Sequence, residues 1–219
     1  MVADNPSSSS TDLAARHAGL ALFFEELARD DKNDPRAELI ALNAVIRRHG
    51  GPDVAFGAAR DVPVGTMLLH RAELAVLALH RHFLSEITHT ETLGVESILI
   101  GPDSRCTDEA ERITYQGVGQ PSQLAACRRA LCINAEQGRP VRVLRTLSAS
   151  AAAMALRAAG DTAAGKRRRE VFRYDGLYRV EVGRLDTESD APQVQDSTAC
   201  VLVRLPDQPA LPPTLESKA

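Results

Sequence analysis

The stretch FRYDGLYRVE, Phe172 to Glu181, holds two of the chain's three tyrosines, and the chain has no Trp. Asp-Gly is a turn signal, because Gly accepts positive φ and Asp can hydrogen-bond the backbone that follows it. Beyond it Tyr178 and Val180 alternate with charged neighbours as a half-buried strand does. Local propensity alone therefore predicts a turn at Asp175-Gly176 followed by a strand.

Working outward, the neighbouring segments share this texture of short apolar runs broken by Gly, Pro and Asp. VESILIG (Val95 to Gly101) reads as a buried strand and RITYQGVG as a strand entering a Gly-rich turn. PSQLAACRRALCINAEQG reads as a helix closed by Gly138, PVRVLRTL as a strand and TACVLVRLP as another. The run VPVGTMLLHRAELAVLALH contains a turn at Pro63 to Gly65 and then apolar residues compatible with either strand or helix. The Ala-rich SASAAAMALRAAGDTAAGKRRRE reads as an insertion with a short helix. Upstream, Leu13, Leu20, Phe23, Phe24 and Leu27 share a helical face, and DPRAELIALNAVIRRHGG supplies a second helix ending at Gly50-Gly51. The expected fold class is α+β: a twisted β-sheet or partial barrel preceded by a small N-terminal helical hairpin. The expected divisions are a disordered N-terminus over 1–10, a helical extension over 11–55, the main domain over 56–212 and a tail over 213–219.

The bulk figures bound the function classes. With 44% hydrophobic and 25% charged residues the composition is that of a globular protein, and the net charge of −3 gives no global nucleic-acid signal. The charge is uneven, however: residues 128–179 carry twelve Arg and Lys against four Asp and Glu. Cys106, Cys127, Cys132 and Cys200 are too few for a disulfide scaffold, and CRRALC has the wrong spacing for a zinc knuckle. They predict free thiols in a reducing compartment. No apolar stretch is long enough to span a bilayer, and the N-terminus is polar.

Six blocks in order, VPVGT (Val62 to Thr66), VESILIG, ITYQGVG (Ile113 to Gly119), RRALCIN (Arg128 to Asn134), PVRVLR (Pro140 to Arg145) and RYDGLYRVE (Arg173 to Glu181), resemble the landmarks of the SRA domain. This is the SET- and RING-associated domain, also called the YDG domain. The resemblance covers roughly Phe56 to Pro212 and implies a PUA-like sheet closing toward a barrel. It also implies a function: recognition of 5-methylcytosine in double-stranded DNA by flipping the base into a pocket. In the family YDG belongs to the interior framework, so Tyr174 and Tyr178 are expected to be buried.

Extruding a base costs a few kcal/mol of stacking and pairing, so a binder must sandwich the base and read its edge. The resemblance assigns the second stacking aromatic to Tyr115, followed by Gln116 and Gly117. Gly101 matches the first glycine after the VESILIG strand, and Asp103 or Asp108 is the candidate edge-reading carboxylate. Pro102 replaces the second glycine, and no aromatic occurs between Phe83 and Tyr115, so the opposing stacking face is missing. The groove-probing loop is expected within RHFLSEITHTETLG, with His82, Phe83, His89 and Thr90 as its contacts. Arg128, Arg129, Arg142 and Arg145 are the candidate phosphate contacts. The run Lys166 to Arg169 reads as a nuclear-import signal.

The expectation is a nuclear, non-enzymatic DNA-binding module with an incomplete base pocket and weak or altered discrimination for methylated CpG. Its expected partners are duplex DNA and chromatin proteins, with no membrane association. The alternative is an SRA-fold protein-interaction or general nucleic-acid module that has lost base reading. No catalytic set, cofactor or metal site is expected: His70, His80 and His82 with Glu73 and Glu86 form the only acid-base grouping, and the His80-x-His82 pair, though of metal-like spacing, has no nearby Cys or plausible third ligand.

Overall fold

The sheet is organised around strand β7, Phe172–Glu181, in a computed structural model that describes residues 7–29, 36–51, 53–59, 61–102, 104–109, 111–116, 121–158, 170–181 and 200–211. One edge of β7 pairs antiparallel with β6, Val141–Thr146, from Phe172 to Tyr178. The other edge is shared: β1, Met67–Leu68, takes Phe172 and Arg173, while β8, Cys200–Arg204, takes Tyr178 to Glu181. The change of partner falls at Asp175-Gly176. Here the register with β6 steps from Val143↔Gly176 to Leu144↔Tyr174, leaving Asp175 as the extra residue of a β-bulge. The expected Asp-Gly turn is therefore corrected to a bulge inside a continuous strand.

Gly176 is required at this bulge on two counts. Its φ is +98°, and an added Cβ would collide with the Gln208 side-chain amide. That amide lies against the strand because it accepts from Leu177 N at 2.8 Å and donates to Leu177 O at 2.8 Å, closing the gap between β1 and β8. The bulge also turns Asp175 inward. Tyr174 and Tyr178 are buried, as expected.

The strand order is β2-β3-β6-β7-β8-β5-β4, with β2 at Ile87–Thr90, β3 at Gly94–Ile100, β4 at Cys106–Asp108 and β5 at Arg112–Tyr115. The pair β3–β6 is parallel; the other pairs are antiparallel. The mixed sheet curls into a half-barrel. Helix α4, Pro121–Gln137, covers one face with Cys127, Ala130 and Leu131 against Val95, Ile113, Tyr115, Val143 and Tyr178. Helix α3, Arg71–Val76, covers the other with Leu74 over Leu99, Leu144, Phe172 and Tyr174. The hairpin of α1, Ser7–Arg29, and α2, Ala37–His49, packs onto α3 through Phe23, Ala41, Leu42 and Val45. No described helix is long and apolar enough to cross a membrane.

Buried Asn134 ties α4 to the sheet: its amide takes Val95 N at 2.6 Å and gives to Val95 O at 2.8 Å. Three local expectations change. Helix α1 begins at Ser7, inside the stretch expected to be disordered, because extending a helix already anchored by its apolar face costs little per residue. The ambiguous run after Thr66 resolves into β1 and α3, joined at His70, where Glu73 accepts from His70 N at 2.8 Å and caps the helix. Strand β4 was not expected, being short and polar. The Ala-rich segment contains helix α5, Ala149–Ala158, whereas Lys166 to Arg169 and the tail from Pro212 lie outside the described residues.

Candidate nucleic-acid interface

Arg81 to Glu86, between α3 and β2, is a loop held from several sides. The Arg81 guanidinium pairs with the buried Glu96 carboxylate of β3, its Nε donating at 2.9 Å. Buried His80 reaches Ser97 Oγ at 2.8 Å and Ser85 O at 2.7 Å, and Arg71 Nη2 also donates to Ser85 O at 3.0 Å. His82 N donates to Thr88 Oγ1 at 3.2 Å, and Glu86 O accepts from Leu99 N at 2.8 Å. A loop fixed this way holds its tip in one place, and the tip residue Leu84 is 83% exposed. A lone apolar residue on a rigid projection has the form of a wedge for a nucleic-acid groove.

The expected loop contacts divide accordingly. His82 is exposed, but Phe83 is half-buried and packs against the helical cluster around Phe23 and Val45, so the outward apolar residue is Leu84. The cause is the helical hairpin, which offers Phe83 an apolar seat. His89 and Thr90 are half-buried on edge strand β2, and burial lowers the His89 pKa.

The loop ends at Glu86, which meets the turn that follows β3. After β3 the chain turns at Gly101: Ser104 N donates to Gly101 O at 3.1 Å, and Ser104 Oγ accepts from Gly101 N at 2.9 Å. The same Ser104 hydroxyl donates to Glu86 Oε2 at 3.2 Å, joining the two loops. Gln116, exposed, continues this junction through its N–H to Arg105 O at 2.9 Å. Tyr115 stands in register between Cys106 of β4 and Cys200 of β8, facing α4. It is 0% exposed, and its hydroxyl has no hydrogen-bond partner among the described residues. Burial, and next the Glu86 carboxylate, hold that hydroxyl far above the usual tyrosine range. Asp103 and Gly117 lie outside the described residues, as does the Asp108 side chain.

The arginines expected to form one phosphate-binding face do not share it. Arg128 and Arg129 are exposed on α4. Arg142 and Arg145 are buried: Arg142 donates to Gly57 O at 2.8 Å and Ala78 O at 3.0 Å, and Arg145 Nε to Asp175 Oδ2 at 2.7 Å. The correction has a simple origin, since β6 is a central strand covered on both faces and its arginines turn inward with it.

The acid-base grouping also disperses. His70 Nδ1 meets Glu38 Oε1 at 3.0 Å against the α1–α2 hairpin, Glu73 caps α3, and His80 is enclosed under β3. Among the described residues no three His, Cys, Asp or Glu are placed to hold a metal ion. The four thiols are free, and burial pushes the Cys200 thiol up to about 12. The sequence does not point to Leu84 or Ser104 as site residues, and it points to Glu86 only within the acid-base grouping. Leu84 had a local signal, a single Leu in a polar loop; the other two meet only through the curl of the sheet.

Fold and loop arrangement together define a half-barrel module of PUA-like type, with loop 81–86 joined to the turn after β3 by Glu86 and Ser104. The SAD/SRA domain model matches residues 55–208, and the chain belongs to that family. No curated protein sequence matches it. Among solved structures, KRYPTONITE in complex with mCHG DNA and SAH is 22% identical with a TM-score of 0.69, covering 92% of this chain and 45% of that one. Arabidopsis thaliana SUVH6 in complex with SAM is 21% identical with a TM-score of 0.56, covering 92% and 41% respectively. The SUVH5 SRA domain with hemimethylated CG DNA is 24% identical with a TM-score of 0.48, covering 73% of this chain and 99% of that one. These likenesses are of fold, and the chain spans less than half the length of the KRYPTONITE and SUVH6 chains.

Proposed function

We propose that this chain binds duplex DNA as a non-catalytic SRA module in the nucleus, alongside chromatin proteins, and distinguishes methylated from unmethylated CpG only weakly. The observation that carries the reading is the tethered loop 81–86, which projects Leu84 outward and joins Glu86 to the turn after β3 through Ser104. Membership of the SRA family and the methylated DNA held by KRYPTONITE support this ligand class. Weak discrimination follows from a pocket with one stacking aromatic. The absent partner forfeits about 1–3 kcal/mol of stacking, and a buried methyl group contributes only about 0.8 kcal/mol.

The expected preference for a methylated over an unmethylated duplex is below about tenfold, the ratio equivalent to ~1.4 kcal/mol. Titration of matched duplexes at one salt concentration measures it. A preference far above tenfold overturns the reading. Equal, salt-dependent binding of both duplexes favours the alternative, a general nucleic-acid module without base reading, for which the full enclosure of Tyr115 is the supporting observation.

A further inference from the structure

We infer that Glu86 closes the base site, its carboxylate standing against Tyr115 where a flipped base would have to enter, and that this closure limits discrimination. The inference rests on the proposed DNA reading for its consequence, not for its geometry. The backbone of Glu86 is anchored by Leu99 N at 2.8 Å, so the side chain leaves the sheet at a fixed point. Its carboxylate receives the Ser104 hydroxyl at 3.2 Å, and that hydroxyl in turn holds Gly101 N at 2.9 Å. The result is a strap from the start of β2 across to the 101–104 turn. The turn is filled rather than open: an added Cβ at Gly101 would stand in ordinary van der Waals contact with Ser104 Oγ and Thr146 Oγ1, each at 3.9 Å. Tyr115, paired with Cys106 two residues beyond Ser104, is wholly enclosed with its hydroxyl unsatisfied. Glu86 is the charged group that acts most on that hydroxyl, and it acts on Cys106 beside it as well. A base stacking on Tyr115 must therefore break the strap and move an anion, which an ionised carboxylate resists because it can accept but not donate hydrogen bonds.

The test uses the full chain with Glu86→Ala, Glu86→Gln and Ser104→Ala. The chain has no Trp and three tyrosines, so tyrosine emission is read directly, and Tyr115, Tyr174 and Tyr178 all start buried. In the free protein, acrylamide should quench wild type and Glu86→Gln little, since Gln keeps the size and the bond from Ser104. Glu86→Ala should expose one tyrosine, and adding Tyr115→Phe should remove the quenched fraction. Ser104→Ala should expose it partly, which keeps the test decisive if Glu86→Ala fails to fold. With DNA, Glu86→Ala should raise the methylated-to-unmethylated preference about fivefold. Protection of Tyr115 in both Glu86→Ala and Ser104→Ala overturns the closure. A lowered preference in Glu86→Ala also overturns it, because Glu86 would then be reading the base. Absence of duplex binding in wild type and variants alike overturns the DNA reading alone, and the quenching result still decides the closure.

Discussion

Asp175 shows what the YDG tripeptide does in this chain. Its fully buried carboxylate accepts from Arg173 Nε at 2.5 Å on one oxygen and from Arg145 Nε at 2.7 Å on the other, pinning β7 to β6 across the bulge. Removing one partner of a buried ion pair leaves charge uncompensated where water cannot reach, at a cost of about 3–5 kcal/mol. Asp175→Asn keeps the shape but loses the charge and one acceptor, so it should lower the unfolding free energy measured in urea by an amount in that range, the midpoint falling with the slope unchanged. A loss under about 1 kcal/mol would mean that the two guanidiniums are held by other groups. The sequence made the burial of Tyr174 and Tyr178 legible through the family resemblance. It did not reveal that Asp-Gly would sit within a strand, because a turn and a bulge both use a positive-φ glycine and differ only in what pairs alongside.

At the scale of elements, loop 81–86 depends on buried His80. With the proton on Nε2 the neutral ring donates to Ser85 O and accepts from Ser97, so both nitrogens are matched without charge. Burial lowers the His80 pKa from 6.5 to about 4, helped by nearby Arg71 and His82 and opposed by the Ser85 carbonyl. The sign follows from linkage: between those values the unfolded chain binds a proton that the folded protein refuses, so stability falls as pH drops from about 6.5 to 4 and levels off below. The size is about 3 kcal/mol, at ~1.36 kcal/mol per pKa unit. Burial acts in the same direction on His89, so the diagnostic is a comparison: urea midpoints from pH 7 to 4.5 should fall more steeply for wild type than for His80→Gln. Parallel curves would remove His80 as the cause. Strands β3, β5, β6 and β8 were legible because each is a short apolar run between breakers. The loop's rigidity was not, since its tethers come from Glu96, Ser97 and Leu99 on a strand that folds back beside it.

Across the whole molecule, the basic block that stood out in the sequence separates into an inner and an outer set. Of its described residues Arg142, Arg145 and Arg173 are buried, as is Arg204 beyond it, whereas Arg128, Arg129 and Arg179 reach the surface, as do Arg105 and Arg112 before it. Charge counting could not separate them, because β6 and the first half of β7 are buried on both faces although their apolar and polar residues alternate as in a half-buried strand. The separation shrinks the electrostatic footprint available to DNA. Arg112 and Arg179 both face Glu181, at 3.5 Å and 2.6 Å, and among the described residues of the block Arg128 and Arg129 on α4 are the adjacent exposed pair. Each phosphate neutralised contributes about 0.9 to the slope of log affinity against log salt, so Arg128→Glu with Arg129→Glu should flatten that slope by up to about 1.8. Because phosphate contacts carry no base information, affinity should fall by the same factor for methylated and unmethylated duplexes. Duplex titrations at several salt concentrations measure both quantities together. An unchanged slope would move the phosphate-binding face away from α4, and a loss confined to the methylated duplex would make these arginines part of base recognition instead.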